Sequence, residues 1–244
     1  MKQSWAALLS SDPQGISQAR RDLDATCTRD PWEFVTGRDP ETSRPLVYTR
    51  DESSEDGYRE FPTKEYLRQF YRVLHAEDRV FVEKSRQMIV STAVCLYIMW
   101  DCLYHPARRW LISRSKEADA IELLRDKIRS PYSRLPVWFK ELHPLSMAPQ
   151  AEARATITDS YIQAVTENVA NRTARGGTAT GFFLDEAAFQ AQAREVYQAA
   201  SPMSQRIVVV STPSLELGGQ FMRGKIEEAQ RGTLQTQYSL SAPT

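Results

Sequence analysis

Hydrophobic residues recur along this chain at two distinct periods. In residues 62–74 (PTKEYLRQFYRVL) the apolar side chains Tyr66, Leu67, Phe70, Tyr71 and Leu74 fall three and four apart. That spacing, with Pro62 near its start, predicts an amphipathic helix. Residues 91–104 predict a mostly apolar helix, and the charged stretch from Lys116 to about Arg129 an amphipathic one. Asp12-Pro13-Gln14-Gly15 reads as a turn before a helix near 16–28. Between these segments lie short apolar runs at 79–82, 110–113, 182–184 and 207–210, and further strands are predicted at 155–158 and 161–165. Uninterrupted runs such as 182–184 and 207–210 suit strands covered on both faces of a parallel sheet. Strand and helix alternate, which predicts a three-layer α/β domain.

Residues 1–60 have a different texture, polar and rich in charge. Thr36-Gly37-Arg38-Asp39-Pro40 marks a turn, and residues 51–57 form an acidic loop. This region reads as an N-terminal lid or extension with no core of its own, ahead of a core domain at 61–244. A length of 244 residues holds one large α/β domain with a small appendage. A hydrophobic fraction of 41% supports a sizeable core. No apolar run approaches the length of a membrane span, the longest being broken by Asp101, and the N-terminus lacks the apolar core of a signal peptide. Cys27, Cys95 and Cys102 make no metal pattern; Cys95 and Cys102 read as buried thiols, and His75, His105 and His143 as isolated structural histidines. A reducing, cytosolic setting follows. The 31 basic and 31 acidic residues cancel, unlike the basic excess of a protein that holds nucleic acid tightly. Any grip on nucleic acid is therefore expected to be weak and shared among copies.

Two segments carry chemistry. The first, residues 81–92 (FVEKSRQMIVST), reads as a strand, a basic turn and a hydroxyl-bearing helix start. A phosphate loop surrounds phosphates with backbone N–H groups and a lysine, and places a Ser/Thr hydroxyl on Mg²⁺. The usual G-x-x-x-x-G-K-[ST] pattern is not met: Ser91 takes the metal position, but Ile89 stands for glycine and Val90 for lysine. Lys84 and Arg86 can supply the charge from the early side of the turn, with the helix dipole behind it. A basic strand edge followed by a buried helix is the other reading. The second segment, Gly181-Phe182-Phe183-Leu184-Asp185-Glu186, ends an apolar strand in adjacent carboxylates, an unfavourable placement unless a cation and an anionic ligand balance them. Asp185 can hold the metal and Glu186 can orient and deprotonate water. An N-cap cluster opening Ala187-Ala188-Phe189 is compatible with either use.

Taken as a set, these residues resemble the N-terminal DNA-packaging ATPase domain of tailed-bacteriophage large terminase subunits. Lys84-Ser85-Arg86-Gln87-Met88 is similar to that family's deviant phosphate loop. The run Arg175-Gly176-Gly177-Thr178-Ala179-Thr180-Gly181 leads into Phe182 to Phe189 as an Arg-Gly element leads into the acidic strand there. Val209-Val210-Ser211-Thr212-Pro213 looks like the coupling motif, and Pro62 to Gln69 resembles the segment that packs on adenine. The likeness covers about 60–220 and departs from the pattern at Ile89, where many relatives have glycine.

The resemblance implies a P-loop NTPase fold (RecA/ASCE-like) with a mostly parallel central sheet, and ATP and Mg²⁺ as cofactors. It implies Lys84, Ser85, Arg86 and Gln87 at the phosphates, Ser91 (with Thr92 adjacent) and Asp185 at the metal, and Glu186 as catalytic base. Ser211 and Thr212 become candidate γ-phosphate sensors, and an ST-turn before Pro213 is the plainer reading. Arg175 becomes the candidate arginine finger, with Arg172 as fallback, and Tyr66 and Gln69 become candidate adenine contacts. It further implies a homomeric ring, usually of five copies, on a portal protein, working with a small terminase subunit on double-stranded DNA. Such a motor belongs in the host cytoplasm, transiently at the procapsid, and not in the mature virion. A C-terminal nuclease domain is usual in the family; the chain leaves no room for one, so an isolated ATPase domain is expected. The competing readings are another translocase or helicase-like ATPase, and a nucleotide-gated assembly module without turnover.

Overall fold

The computed structural model describes residues 16–85, 88–166, 178–215, 217–231 and 238–240. A short hairpin pairs β1 (Tyr48–Arg50) with β2 (Tyr58–Glu60). The main sheet uses β3 (Arg79–Lys84), β4 (Arg109–Arg114), β5 (Leu145–Ser146), β6 (Glu152–Ala155), β7 (Ser160–Thr166), β8 (Ala179–Asp185), β9 (Ser204–Ser211) and β10 (Tyr238–Leu240). Its order is β10-β3-β9-β8-β4-β7-β6-β5. All pairings from β10 to β7 are parallel, and β6 and β5 close one edge antiparallel. The parallel α/β architecture expected from the apolar runs is therefore present.

Alternate residues of each central strand enter different cores, as the two-residue period of a strand requires. Val80, Val82, Ile112, Phe183, Val208 and Val210 pack on one face with the helix Val90–Tyr104. Phe81, Leu111, Phe182, Leu184, Ile207 and Val209 pack on the other with Tyr197 and Phe221. Tyr197 belongs to the helix Ala193–Ala200 and Phe221 to the helix Leu217–Gln230. Each large apolar side chain buried this way contributes about 1.5–3 kcal/mol. Gly181 is fixed by the same packing, since a Cβ there would lie 2.3 Å from the Trp110 ring on β4.

Several elements differ from their sequence expectations. The helix expected to reach Arg129 is regular only over Glu117–Leu124 and widens into a π turn at Arg125–Arg129, where the Ser130 N–H bonds the Arg125 carbonyl. Pro131 follows directly and has no N–H to continue the ladder. The strand expected at 155–158 lies earlier, at Glu152–Ala155, because Asp159 takes a left-handed conformation (φ 52°) in the reversal into β7.

The described part of the first 60 residues shares the main core. Phe34, Val35, Leu46 and Val47 are buried with the Val90–Tyr104 helix. The indole of Trp100 donates to the Cys27 carbonyl (2.7 Å), and Tyr104 and His143 meet Asp24 at 2.7 and 2.8 Å. The change of texture near residue 60 therefore separates no two cores.

Candidate active site

Strand register brings the chemistry to one edge. β3 pairs with β9 up to Glu83 opposite Ser211, so Lys84 and Thr212 come next in line. β8 pairs with β9 as far as Asp185 opposite Val210, and with β4 as far as Leu184 opposite Ser113. Arg114, one residue on, therefore falls beside Asp185. These are the carboxyl ends of parallel strands, where open α/β sheets bind ligands.

Asp185 shares a face with Phe183, the face covered by the Val90–Tyr104 helix, and so points at that helix's first turn. Ser91 Oγ donates to Asp185 Oδ1 at 2.6 Å. Arg114 Nε donates to Oδ2 at 2.9 Å, and a second guanidinium nitrogen reaches the same oxygen. Asp185 is completely buried, a costly position for a carboxylate without partners. Burial disfavours the Arg114 cation, but the adjoining Asp185 carboxylate outweighs this and holds its pKa above the ordinary value.

Glu186 leaves the strand in a left-handed conformation (φ 54°, ψ 42°), which turns its side chain away from the alternation of β8. It makes no N-cap hydrogen bond with its side chain. Lys84 Nζ donates to Glu186 Oε1 at 3.3 Å, and Thr212 Oγ1 approaches Oε2 at 3.5 Å. Lys84 is only 8% exposed. The turn after Glu186 is tied from two sides: the Ala188 N–H donates to Ser211 Oγ (3.0 Å), and Gln190 Nε2 donates to the Asp185 carbonyl (2.8 Å). Gly218, on the helix Leu217–Gln230, lets that helix approach closely, because a Cβ there would lie 2.3 Å from the Ala187 carbonyl.

The candidate phosphate turn is also left-handed, at Ile89 (φ 52°, ψ 7°), immediately before the 15-residue helix Val90–Tyr104. The position where the usual phosphate-loop pattern has glycine thus keeps a glycine-like conformation with isoleucine in it. Among the described residues no side chain caps the helix, so its first N–H groups face the cleft with the positive end of the dipole.

Two cavities flank this turn. One, of about 490 Å³, is lined by Lys84, Arg114, Ser115, Asp119, Glu186, Phe189 and Thr212. The other, of about 690 Å³, is lined in part by Pro62, Tyr66, Ile89, Thr92 and Lys127, with Arg50 and Asp51 of the β1–β2 hairpin.

Of the predicted site residues, Lys84, Ser91, Asp185, Glu186 and Thr212 converge. Ser211 does not join them: it is buried, and its hydroxyl is taken by the turn at Ala188. Thr92 faces the larger cavity rather than the Ser91–Asp185 contact, because neighbouring helical positions point about 100° apart. Tyr66 lines that cavity, and its hydroxyl donates to the Met88 carbonyl at 3.4 Å. Gln69 is exposed and bonds Glu65 at 3.4 Å, so it does not share Tyr66's position. Ser85 is exposed at the head of the turn. Arg86, Gln87, Arg172 and Arg175 lie outside the described residues.

Arg114 escaped the sequence reading. Its only sequence signal is a cation closing the apolar run 110–113, and its meaning depends on β4 lying next to β8. The β1–β2 hairpin and Lys127 were missed for the same reason.

Solved structures show the same architecture. The large terminase of bacteriophage HK97 superposes with a TM-score of 0.58 at 8% identity, over 84% of this chain and 42% of that one. The large terminase ATPase domain of Thermus phage P74-26 gives 0.52 at 15% identity, over 66% and 69%. A large terminase from a thermophilic bacteriophage gives 0.52 at 14%, over 74% and 45%. This chain has the fold of a phage large-terminase ATPase domain. It spans less than half of the HK97 terminase and of the thermophilic-phage terminase, and most of the isolated Thermus phage domain. No family model matches the sequence, and no curated protein matches it significantly. The terminase fold is RecA-like, and β9 separates the phosphate-turn strand β3 from the acidic strand β8.

Proposed function

We propose that this chain is a Mg²⁺-dependent ATPase of the large-terminase type, hydrolysing ATP to drive double-stranded DNA into a viral procapsid. One observation carries the reading. Ser91 meets Asp185 at 2.6 Å and Lys84 meets Glu186 at 3.3 Å, all at the head of one uncapped helix.

The donor set suits magnesium. A hydroxyl and a buried carboxylate offer hard oxygen ligands, and Mg²⁺ characteristically takes one or two protein oxygens and completes its shell with phosphates and water. No cluster of three or more His, Cys, Asp or Glu side chains with metal-binding geometry occurs among the described residues, so these form no all-protein cage. When bound, the metal would neutralise and polarise the phosphate oxygens. Ser91 and Asp185 would hold it. Lys84 and the helix N-terminus bind phosphate oxygens. Glu186 takes a proton from the attacking water once Lys84 has moved to the phosphates. Thr212 steadies Glu186 and links it to β9. We assign the base of the nucleotide to the cavity that contains Tyr66 and Ile89.

The finer parts of the reading follow from the terminase likeness: an Arg175 finger acting on a neighbour's site, a ring of about five copies, and assembly with portal and small subunit in the host cytoplasm. The test is turnover by wild type and Glu186→Gln at high protein concentration, since a finger supplied in trans needs neighbours. Phosphate release is expected to fall by about 10²–10⁴-fold in the variant, with nucleotide binding retained. Absence of Mg²⁺-dependent release from the wild type at every concentration would favour a binding module, a reading suggested by the lock of Glu186 onto Lys84.

A further inference from the structure

The four charges at the head of the cleft cancel in pairs, Lys84 with Glu186 and Arg114 with Asp185. Each pairing occupies a carboxylate that the proposed reaction needs free. Asp185 has Ser91 on one oxygen and the Arg114 fork on the other. A divalent ion bound there with Arg114 still in place would crowd three positive charges around one carboxylate. Arg114 must therefore give way, and it has somewhere to go. Its side chain is 26% exposed, against 0% for Asp185, and it borders the same cavity of about 490 Å³ as Lys84, Glu186 and Thr212. A guanidinium fork matches phosphate oxygens as well as it matches a carboxylate.

We propose that Arg114 is a place-holding cation: it neutralises Asp185 before nucleotide binds, then turns onto the terminal phosphate of a metal-bound nucleoside triphosphate. The proposal rests on the nucleotide-site reading above and adds a residue to it. It gives the site a way to tell triphosphate from diphosphate, because the diphosphate lacks the group that receives Arg114.

The test compares affinities for MgADP and the slowly hydrolysed analogue MgATPγS, by calorimetry, in wild type, Arg114→Gln and Arg114→Lys. Wild type is expected to prefer the triphosphate. In Arg114→Gln that preference should shrink by about tenfold or more. MgATPγS loses its contact, whereas MgADP binds at least as well because Asp185 has lost a competitor. Arg114→Lys keeps a cation and should keep most of the preference. A merely structural role weakens both nucleotides equally, and that result overturns the proposal. One readout needs no folded variant: in wild type the ¹⁵Nε resonance of Arg114 should move with MgATPγS and stay with MgADP. A resonance that responds equally to both also overturns it. Wild type binding both nucleotides without preference sinks the place-holder and spares the site, while wild type binding neither sinks both.

Discussion

The two turns that meet at the cleft are each left-handed at a residue with a side chain, yet they are held differently. Glu186 (φ 54°) is secured by polar contacts: its carboxylate by Lys84 and Thr212, the preceding Asp185 carbonyl by Gln190, and the following Ala188 N–H by Ser211. Ile89 (φ 52°) has no capping side chain and is secured by packing of its apolar body against the core. Such a conformation costs of order 1–3 kcal/mol wherever it occurs. At Glu186 the strain aims a carboxylate into the cleft, and the bonds that hold it are the ones the proposed reaction would exchange. At Ile89 the strain only opens the turn, and the side chain forms part of a cavity wall. Strain held by polar partners can respond to a ligand, whereas strain held by packing stays in place.

Lys84 ends the strand that leads into one turn and pairs with Glu186 in the other, so its removal has the largest expected effect. Removing a lysine that pairs with bound phosphate oxygens, as proposed for Lys84, costs about 2–5 kcal/mol of binding. Lys84→Ala is accordingly expected to weaken nucleotide binding by about thirtyfold or more, measured by fluorescence titration. Affinity within threefold of wild type would show that the phosphates are held elsewhere.

A smaller effect separates the turns by touching only the acidic one. Gly218→Ala drives a methyl group into the Ala187 and Ala188 carbonyls, 2.3 and 2.7 Å away. Overpacking of this kind costs about 1–3 kcal/mol, a few degrees in Tm for a chain of this length. Because the displaced turn carries Glu186, turnover should fall more than nucleotide affinity does. Equal loss of both would mean that the helix Leu217–Gln230 supports the whole cleft and not Glu186 in particular.

The acidic turn was legible in the sequence because its signal is local: packing alone gives no reason for an apolar strand to end in two carboxylates. Lys84 and Ser91 were readable on the same strand-turn-helix logic, despite the missing glycine and lysine. Arg114 and Gly218 were not, since each acts on a segment about 70 or 30 residues away and only strand order and helix docking make them neighbours. The left-handed Ile89 was unreadable for another reason: a β-branched residue is a poor candidate for that conformation, and only the surrounding packing imposes it. Ser211 and Thr212 illustrate the limit within a motif. Adjacent hydroxyls at a strand end point to opposite sides, and the sequence does not say which one faces the cleft.

The phosphate turn offers the finest test of the comparison. Replacing Ile89 by glycine removes a side chain that is partly buried against the core, which alone would destabilise. Glycine also adds about 0.5–1 kcal/mol of backbone entropy to be lost on folding. Against these stands relief of the left-handed conformation, about 1–2 kcal/mol. The terms nearly offset, so Ile89→Gly should change unfolding stability by less than about 1 kcal/mol, read as a shift in urea midpoint at constant slope. The control is Ile98→Ala on the same helix, fully buried and in a regular helical position, where truncation should cost about 2–5 kcal/mol. If both substitutions cost alike, the packing of the Ile89 side chain outweighs any left-handed strain, and glycine is no better suited to the turn.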